Sequence, residues 1–511
     1  MTGLKQPATI LDLLEFGAPA HPALAVPGGP MVTYDSLRRQ VNDIAGELRR
    51  MGIGRGDRVA IVLPNDIDTI IAFLAVASTA TAAPLNPAYK AEEFRFYIED
   101  SDAKALITSE HSPQEALQIV PPSVARITAS LSSEGRLSLS SPERGLPRPP
   151  DGGCGPDDVA LVLHTSGTTS RPKRVPLAHR NLAVSAQNIV ATYDLSPEDV
   201  SLCVMPLFHI HGLVASTLAT LLSGGTVVVP PRFNALNLWR VVQDHRATWF
   251  SAVPSMHQAL LNRARGRDSS NGGAVSRGGL RFIRSSSAPL SPGTMLEMEE
   301  RFGVPVVEAY GMTEAAHQMS SNPLPPGTRV PGSVGQGTGV RIGIMDEQGS
   351  LQLAGATGEV AIQGPNVIEG YEDNPQANAD SFADGWFRTG DQGFLDEQGY
   401  LTLVGRIKEL INRSGEKVSP VEIDEVLLSH PAVSEAVAFG IPHATHGEEP
   451  AAAVVLSAEV SQQQLVAYCR EHMADFKIPR VIHIVDAIPR TATGKVQRRI
   501  VAKALTGKST K

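Results

Sequence analysis

The sequence predicts an α/β fold: a large N-terminal body of mixed and parallel sheets with helices, and a small mobile α+β lid domain behind it. Three observations carry this. Short β-branched runs alternate with helical patterns along most of the 511 residues. Hydrophobic residues make up 42% and charged residues 19%, enough to bury a sizeable core and to exclude disorder as the dominant state. The character of the chain then changes near Gly405, where a compact unit of roughly 100 residues begins. At ~150 residues per domain the length suggests about three domains, or one composite body plus a small unit. We divide the chain at residues 1–405 and 406–511.

In chain order, Tyr34–Met51 sets Leu37, Val41, Ile44, Ala45 and Leu48 at helical spacing, with Gly52 as C-cap. Arg58–Leu63 reads as a buried strand and Asp68–Ala80 as a helix. Val159–Leu163, Thr226–Val229, Thr248–Ser251 and Leu280–Arg284 are further strands, and such alternation favours largely parallel sheets. Residues 129–158, rich in Ser, Pro and Gly, read as a long surface connection. Residues 263–280 read as a basic Gly/Ser-rich loop, either solvated or touching a phosphate-bearing ligand. In the terminal unit, Pro420–Leu428 and Ser461–Met473 are helices, the first started by proline and the second capped by Ser461. Ala451–Leu456 and Val481–Val485 are strands.

The charge sum, 45 basic against 53 acidic residues for a net −8, argues against a general nucleic-acid or anionic-membrane binder. Cys154, Cys203 and Cys469 are widely spaced, which forms neither a disulfide framework nor a zinc site and fits a reducing compartment. The first thirty residues lack a basic n-region followed by a continuous apolar stretch, and no run of 18 apolar residues occurs. The last residues do not match the Ser-Lys-Leu signal. The expectation is a cytoplasmic protein.

The most informative stretch is His164-Thr165-Ser166-Gly167-Thr168-Thr169-Ser170-Arg171-Pro172-Lys173, directly after a strand. Small hydroxyl residues around a glycine let the backbone wrap an anion with N–H and O–H donors, while Lys173 supplies charge. It is not a Walker A sequence. Alone, such a loop is more often a turn. Its company decides: Tyr310-Gly311-Met312-Thr313-Glu314, then Trp386-Phe387-Arg388-Thr389-Gly390-Asp391, then Gly405-Arg406-Ile407-Lys408-Glu409, and finally Pro489-Arg490-Thr491-Ala492-Thr493-Gly494-Lys495.

This ordered set resembles the acyl-adenylate-forming superfamily of acyl-CoA synthetases, coumarate–CoA ligases, luciferases and peptide-synthetase adenylation domains, over essentially the whole chain. The resemblance implies ATP, Mg²⁺ and coenzyme A as cofactors and cosubstrates. It implies that Thr165, Ser166, Gly167, Thr168, Thr169 and Lys173 embrace the β- and γ-phosphates, that Thr313 bonds the α-phosphate and that Glu314 holds Mg²⁺. Asp391 would accept from both ribose hydroxyls, with Arg406 reaching the same ribose. Ser287, Ala288 and Pro289 would line one face of adenine, with Glu308, Ala309 and Tyr310 on the other. Lys408 takes the hinge position and Lys495 that of the adenylation lysine. Ser414, Gly415, Glu416 and Lys417 would face coenzyme A.

Such chemistry needs cations, because a carboxylate must attack a polyanion. Like unit charges 4 Å apart repel by about 4 kcal/mol at an effective dielectric of 20. Plainer readings exist for several of these residues. Glu314 alone is a common helix-start residue, Asp391 suits a Gly-Asp turn, and Lys495 with Arg498 and Arg499 is also a solvated basic patch. Two departures stand out: Arg174 follows Lys173 where most members carry glycine, and Ser414 stands where glycine is common.

Met205-Pro206-Leu207-Phe208-His209-Ile210-His211-Gly212 resembles the segment lining the family's carboxylate pocket. His209 is common there, and we count it with Lys495, Thr313 and Glu314 as catalytic. His211, His317, Ser285 and Ser287 are the candidate acyl-substrate contacts, although a histidine on an apolar stretch is more often a satisfied core residue. The local wording most resembles the oxalate–CoA ligase branch. The implied reaction joins oxalate to coenzyme A with release of AMP and diphosphate. The rivals are a coumarate-like or medium-chain ligase, a luciferase-like oxygenase and a degenerate binding module. No nucleic acid and no membrane span are implied.

Overall fold

The computed structural model describes residues 7–141, 152–165, 172–268, 278–443, 445–490 and 496–507. A nine-stranded sheet runs in the order Gln336–Gly337, His317–Ser321, Val306–Met312, Phe282–Ser286, Trp249–Ala252, Val200–Leu202, Thr226–Val228, Pro22–Ala25, Met31–Thr33. Its pairings from Val306–Met312 through to Pro22–Ala25 are parallel, and antiparallel strands close both edges. A seven-stranded sheet repeats the plan, with parallel pairing from Ala125–Leu131 to Val159–Thr165 and a hairpin at each end.

The helix Ile67–Ala77 explains how the two sheets are joined. All of its residues are buried, and it belongs to one core with Leu24 and Val227 of the first sheet and Val59 and Ile107 of the second. A helix apolar all round has no solvent face to offer and belongs between layers. Tyr34–Arg50 is amphipathic instead; it buries Leu37, Val41, Ile44, Ala45 and Leu48 and ends at Gly52, whose φ of 85° only glycine adopts readily.

Four expectations change. The helix predicted over 68–80 stops at Ala77, where Ser78 turns its hydroxyl back onto the Ala75 carbonyl. Residues 125–140 form the edge hairpin Ala125–Leu131/Leu137–Ser140 rather than a connection, because the strand alternates buried and exposed residues. The helix Pro254–Asp268 takes the start of the segment read as a basic loop. A third, wholly antiparallel sheet (Arg341–Met345, Gly358–Gln363, Trp386–Leu395, Phe382–Ala383, Leu401–Arg406) was not foreseen.

The terminal unit has its own sheet (Glu416–Val418, Ile411–Arg413, Gly447–Leu456, Val433–His443, Val481–Ile484). Separate apolar clusters lie on it, one around Ile423, Leu427, Ala452 and Leu465, another around Phe439, Ile488 and Val501. Pro420–Leu428 starts with Ser419 as cap, and Gln462–His472 with the Ser461–Gln464 capping box. Among the described residues, no helix is long and apolar enough to cross a membrane.

Candidate active site

Four neighbouring strands of the large sheet, Val200–Leu202, Trp249–Ala252, Phe282–Ser286 and Val306–Met312, run parallel. His209 and His211, Ser251, Ser287 and Thr313 therefore all lie at or just beyond carboxyl ends of strands, where open α/β sheets place their ligands.

The predicted phosphate loop is the connection of a β-hairpin closed by Thr165 opposite Lys173 and His164 opposite Arg174. Ser166, Gly167, Thr168 and Thr169 lie outside the described residues. Both arms are tied down. His164 Nε2 and Asp100 Oδ2 are 2.9 Å apart, and Arg174 donates to the Asp100 carbonyl at 2.6 Å and pairs with Asp373. Arg174 thus anchors the loop where family members carry glycine. Burial, more than its neighbours Glu314 and Lys408, pulls the Lys173 ammonium below its ordinary range.

Thr313 and Glu314 open a 3₁₀ turn directly after strand Val306–Met312. Glu314 is buried, and the Tyr371 hydroxyl donates to its Oε1 at 2.8 Å. Lys173 Nζ sits 4.2 Å from the centre of the same Tyr371 ring, a cation–π contact. Lys173, Tyr371 and Glu314 thus form one cluster, and Tyr371 is a member that the sequence reading missed. Glu314 also fits magnesium: among the described residues no hydrogen bond is made to its second oxygen, and a hard cation takes carboxylate oxygen. Among the described residues no group of three or more His, Cys, Asp or Glu side chains gathers to hold a metal. Magnesium binds through one or two carboxylates and takes its other ligands from phosphate and water.

Asp391 stands opposite Arg406 across an antiparallel pair, and Arg406 Nε lies 2.7 Å from its Oδ1. The Tyr310 hydroxyl donates to Oδ2. Tyr310, Asp391 and Arg406, all expected at the nucleotide, thus form one coupled unit. A carboxylate oxygen carries two lone pairs, which suits Asp391 to a vicinal diol. Glu308 is buried, accepts from the Leu290 N–H at 2.9 Å, and has its carboxyl pushed up to about 8 by burial. Ala309 is buried beside it, and Ser287 has a φ of 74° at the head of the Ala288–Pro289 turn.

The two predicted acyl-site histidines meet. The His211 and His317 rings are 4.8 Å apart and both are buried. His211 Nδ1 is 3.0 Å from Ser287 Oγ and its Nε2 is 2.6 Å from Ser251 Oγ. His209 Nδ1 accepts from the His211 N–H. Ser285 stays apart: strand alternation turns it to the face opposite Arg284, and its buried hydroxyl has no partner among the described residues. Behind the histidines lies Arg284, which is 0% exposed and donates to Tyr193, Ser251 and Gln318. In the sequence it stood only as the residue before Ser285, Ser286 and Ser287, with no pattern that marked it.

In the terminal unit, Lys408 lies in the 3₁₀ turn Ile407–Glu409. Ser414 and Gly415 make a two-residue hairpin turn with φ of 53° and 94°, and Ser414 Oγ meets His446 Nδ1 at 2.8 Å. Glu416 and Lys417 are exposed on the following strand. Lys495 lies outside the described residues. Arg498 is no part of a solvated patch: it donates to the Ala438 carbonyl and pairs with Asp424 at 2.7 Å.

Two parallel-cored sheets, a third antiparallel sheet and a small terminal unit are the build of an adenylate-forming α/β enzyme. The chain belongs to the AMP-binding enzyme family, whose main domain matches residues 17–372 and whose C-terminal domain matches residues 422–495. It is 46% identical to an oxalate–CoA ligase of Arabidopsis thaliana, covering 97% of this chain and 98% of that one. It is 43% identical to an oxalate–CoA ligase of Saccharomyces cerevisiae, covering 88% and 87%. The ATP-bound crystal structure of MatB from Rhodopseudomonas palustris superposes with a TM-score of 0.85 at 31% identity, covering 97% of this chain and 98% of that one.

Proposed function

We propose that this protein is an ATP-dependent, AMP-forming carboxylate–CoA ligase whose acid is oxalate. The observation that carries the substrate is the paired His211 and His317 at the carboxyl ends of the parallel strands, with Ser287 beside them. Oxalate is a two-carbon dianion, so one carboxylate must react while the other is held. An apolar tunnel would leave that second charge buried and unpaired. The Ser287 hydroxyl, backed by His211, and the His317 ring offset it, each charge-assisted bond contributing about 1.5–3 kcal/mol. Bulky apolar acids would bury these polar groups without partners.

In the first half-reaction an oxalate oxygen bonds to the α-phosphorus of ATP, the bond to the β-phosphate oxygen breaks and diphosphate leaves. We assign the loop from Thr165 to Lys173 to the β- and γ-phosphates, Thr313 to the α-phosphate, Asp391 and Arg406 to the ribose, and Lys495 to the charge that develops as diphosphate departs. We assign His209 to the reacting carboxylate. Glu314 would hold Mg²⁺, which neutralises phosphate charge when bound. In the second half-reaction the coenzyme A thiol attacks the acyl carbon and AMP leaves. We assign Ser414 to Lys417 to that step, on a lid (406–511) turning against the body (1–405) about Lys408. Three unpaired thiols suit action in a reducing cytoplasm.

The test is a carboxylate panel read by diphosphate release. Oxalate is expected to exceed acetate, malonate, coumarate and hexanoate in kcat/KM, with AMP rather than ADP formed in step. A preference for a hydroxycinnamate or a medium-chain fatty acid overturns oxalate, and stoichiometric ADP overturns the adenylate route.

A further inference from the structure

Arg284 is a fully buried guanidinium, and among the described residues no carboxylate pairs with it. A desolvated cation without a counter-charge is costly unless something else supplies the negative charge. It faces the Tyr193 hydroxyl at 2.9 Å, Ser251 Oγ at 2.9 Å and Gln318 Oε1 at 3.0 Å, with His211 Nε2 at 3.5 Å and His317 Nδ1 at 3.4 Å.

A guanidinium only donates. The histidine nitrogens that face it must therefore offer lone pairs, which puts the ring proton on His211 Nδ1 and on His317 Nε2. Ser251 Oγ accepts from Arg284, so its own hydrogen is free for His211 Nε2 at 2.6 Å. His211 Nδ1–H then reaches Ser287 Oγ at 3.0 Å, whose hydroxyl hydrogen is left for a ligand. The result is a directional relay, Arg284 to Ser251 to His211 to Ser287, with every positive end pointing away from the guanidinium. Aligned hydrogen bonds in a low-dielectric interior polarise one another.

We propose that Arg284 determines acid specificity from behind the pocket: it is the buried counter-charge for the non-reacting carboxylate of a short dicarboxylate, acting through Ser251, His211 and Ser287 and through His317. It is a positioning residue and does not itself touch the acid. The inference rests on the oxalate reading of the same site.

The experiment measures kcat/KM for oxalate and for acetate, by diphosphate release, in the wild type and in Arg284→Met, Arg284→Lys and Ser251→Ala. The oxalate-to-acetate ratio is expected to fall at least tenfold in Arg284→Met, through KM for oxalate, to recover in part in Arg284→Lys, and to fall less in Ser251→Ala. Equal loss for both acids, or an unchanged ratio, overturns the Arg284 inference while leaving oxalate standing. If Arg284→Met does not fold, the lysine and Ser251 variants decide the matter by the same ratio. A wild type that prefers a different acid overturns oxalate. Arg284 then stands only if that acid carries a distal anion and the ratio against its monoanionic counterpart falls in the variants, and a monoanionic preferred acid overturns both.

Discussion

Tyr371 donates its hydroxyl to Glu314 Oε1 at 2.8 Å across 57 residues of sequence, while Lys173 caps the same ring. One aromatic side chain thus orients the only carboxylate in this cluster and seats its lysine.

Tyr371→Phe should keep the ring contact with Lys173 and free one Glu314 oxygen. A hydrogen bond to a charged group contributes about 1.5–3 kcal/mol, so adenylation should slow by roughly one to two orders of magnitude. The Mg²⁺ concentration for half-maximal diphosphate release should rise. An unchanged Mg²⁺ dependence would dissociate Tyr371 from metal binding.

Arg174→Ala removes the donor to the Asp100 carbonyl and the ion pair with Asp373 at one arm of the phosphate loop. The expected result is a higher KM for ATP with KM for the acid little changed. The pattern is read by steady-state kinetics with each substrate varied. An effect confined to the acid would show that the anchoring does not reach the loop.

Glu308 predicts a pH dependence. Burial raises its folded-state value to about 8 from an ordinary 4.5, so between those values the folded state binds more protons than the unfolded one. The contribution of this group to stability is full below about 4.5 and is lost as pH rises toward 8, by roughly 1.4 kcal/mol per pH unit at most. Glu308→Gln keeps an oxygen for the Leu290 N–H and removes the titration. Its denaturant midpoint should fall less than that of the wild type between pH 5.5 and 8. Parallel curves would mean that Glu308 ionises freely in the fold.

Lys495→Ala should cripple adenylation by about 10²–10³ in rate, by analogy with loss of an oxyanion-hole donor. Thioester formation from pre-made acyl-adenylate should be largely spared. Gly415→Ala, at a φ of 94° that disfavours a side chain, should show the reverse. The two half-reactions assayed separately distinguish these outcomes, and equal loss of both in both variants argues against a two-state lid.

Much of this molecule is legible in its sequence. Helical and strand periodicity reports which face of an element is buried, and so Tyr34–Arg50, Arg58–Val62 and the capped helices after Ser419 and Ser461 were placed almost to the residue. Five ordered motifs named the family. Local patterns do not say which distant group a side chain will meet, since that depends on how strands far apart in the chain become neighbours. His211 meets Ser251 and Ser287 across 40 and 76 residues, because parallel pairing brings their strand ends together. Arg174, in doubt as a departure from glycine, became an anchor only once Asp100 and Asp373 stood beside it. Arg284 closed a predicted strand, Leu280–Arg284, with nothing to mark it as buried. Only the packed sheet buried it, with no carboxylate paired to it among the described residues.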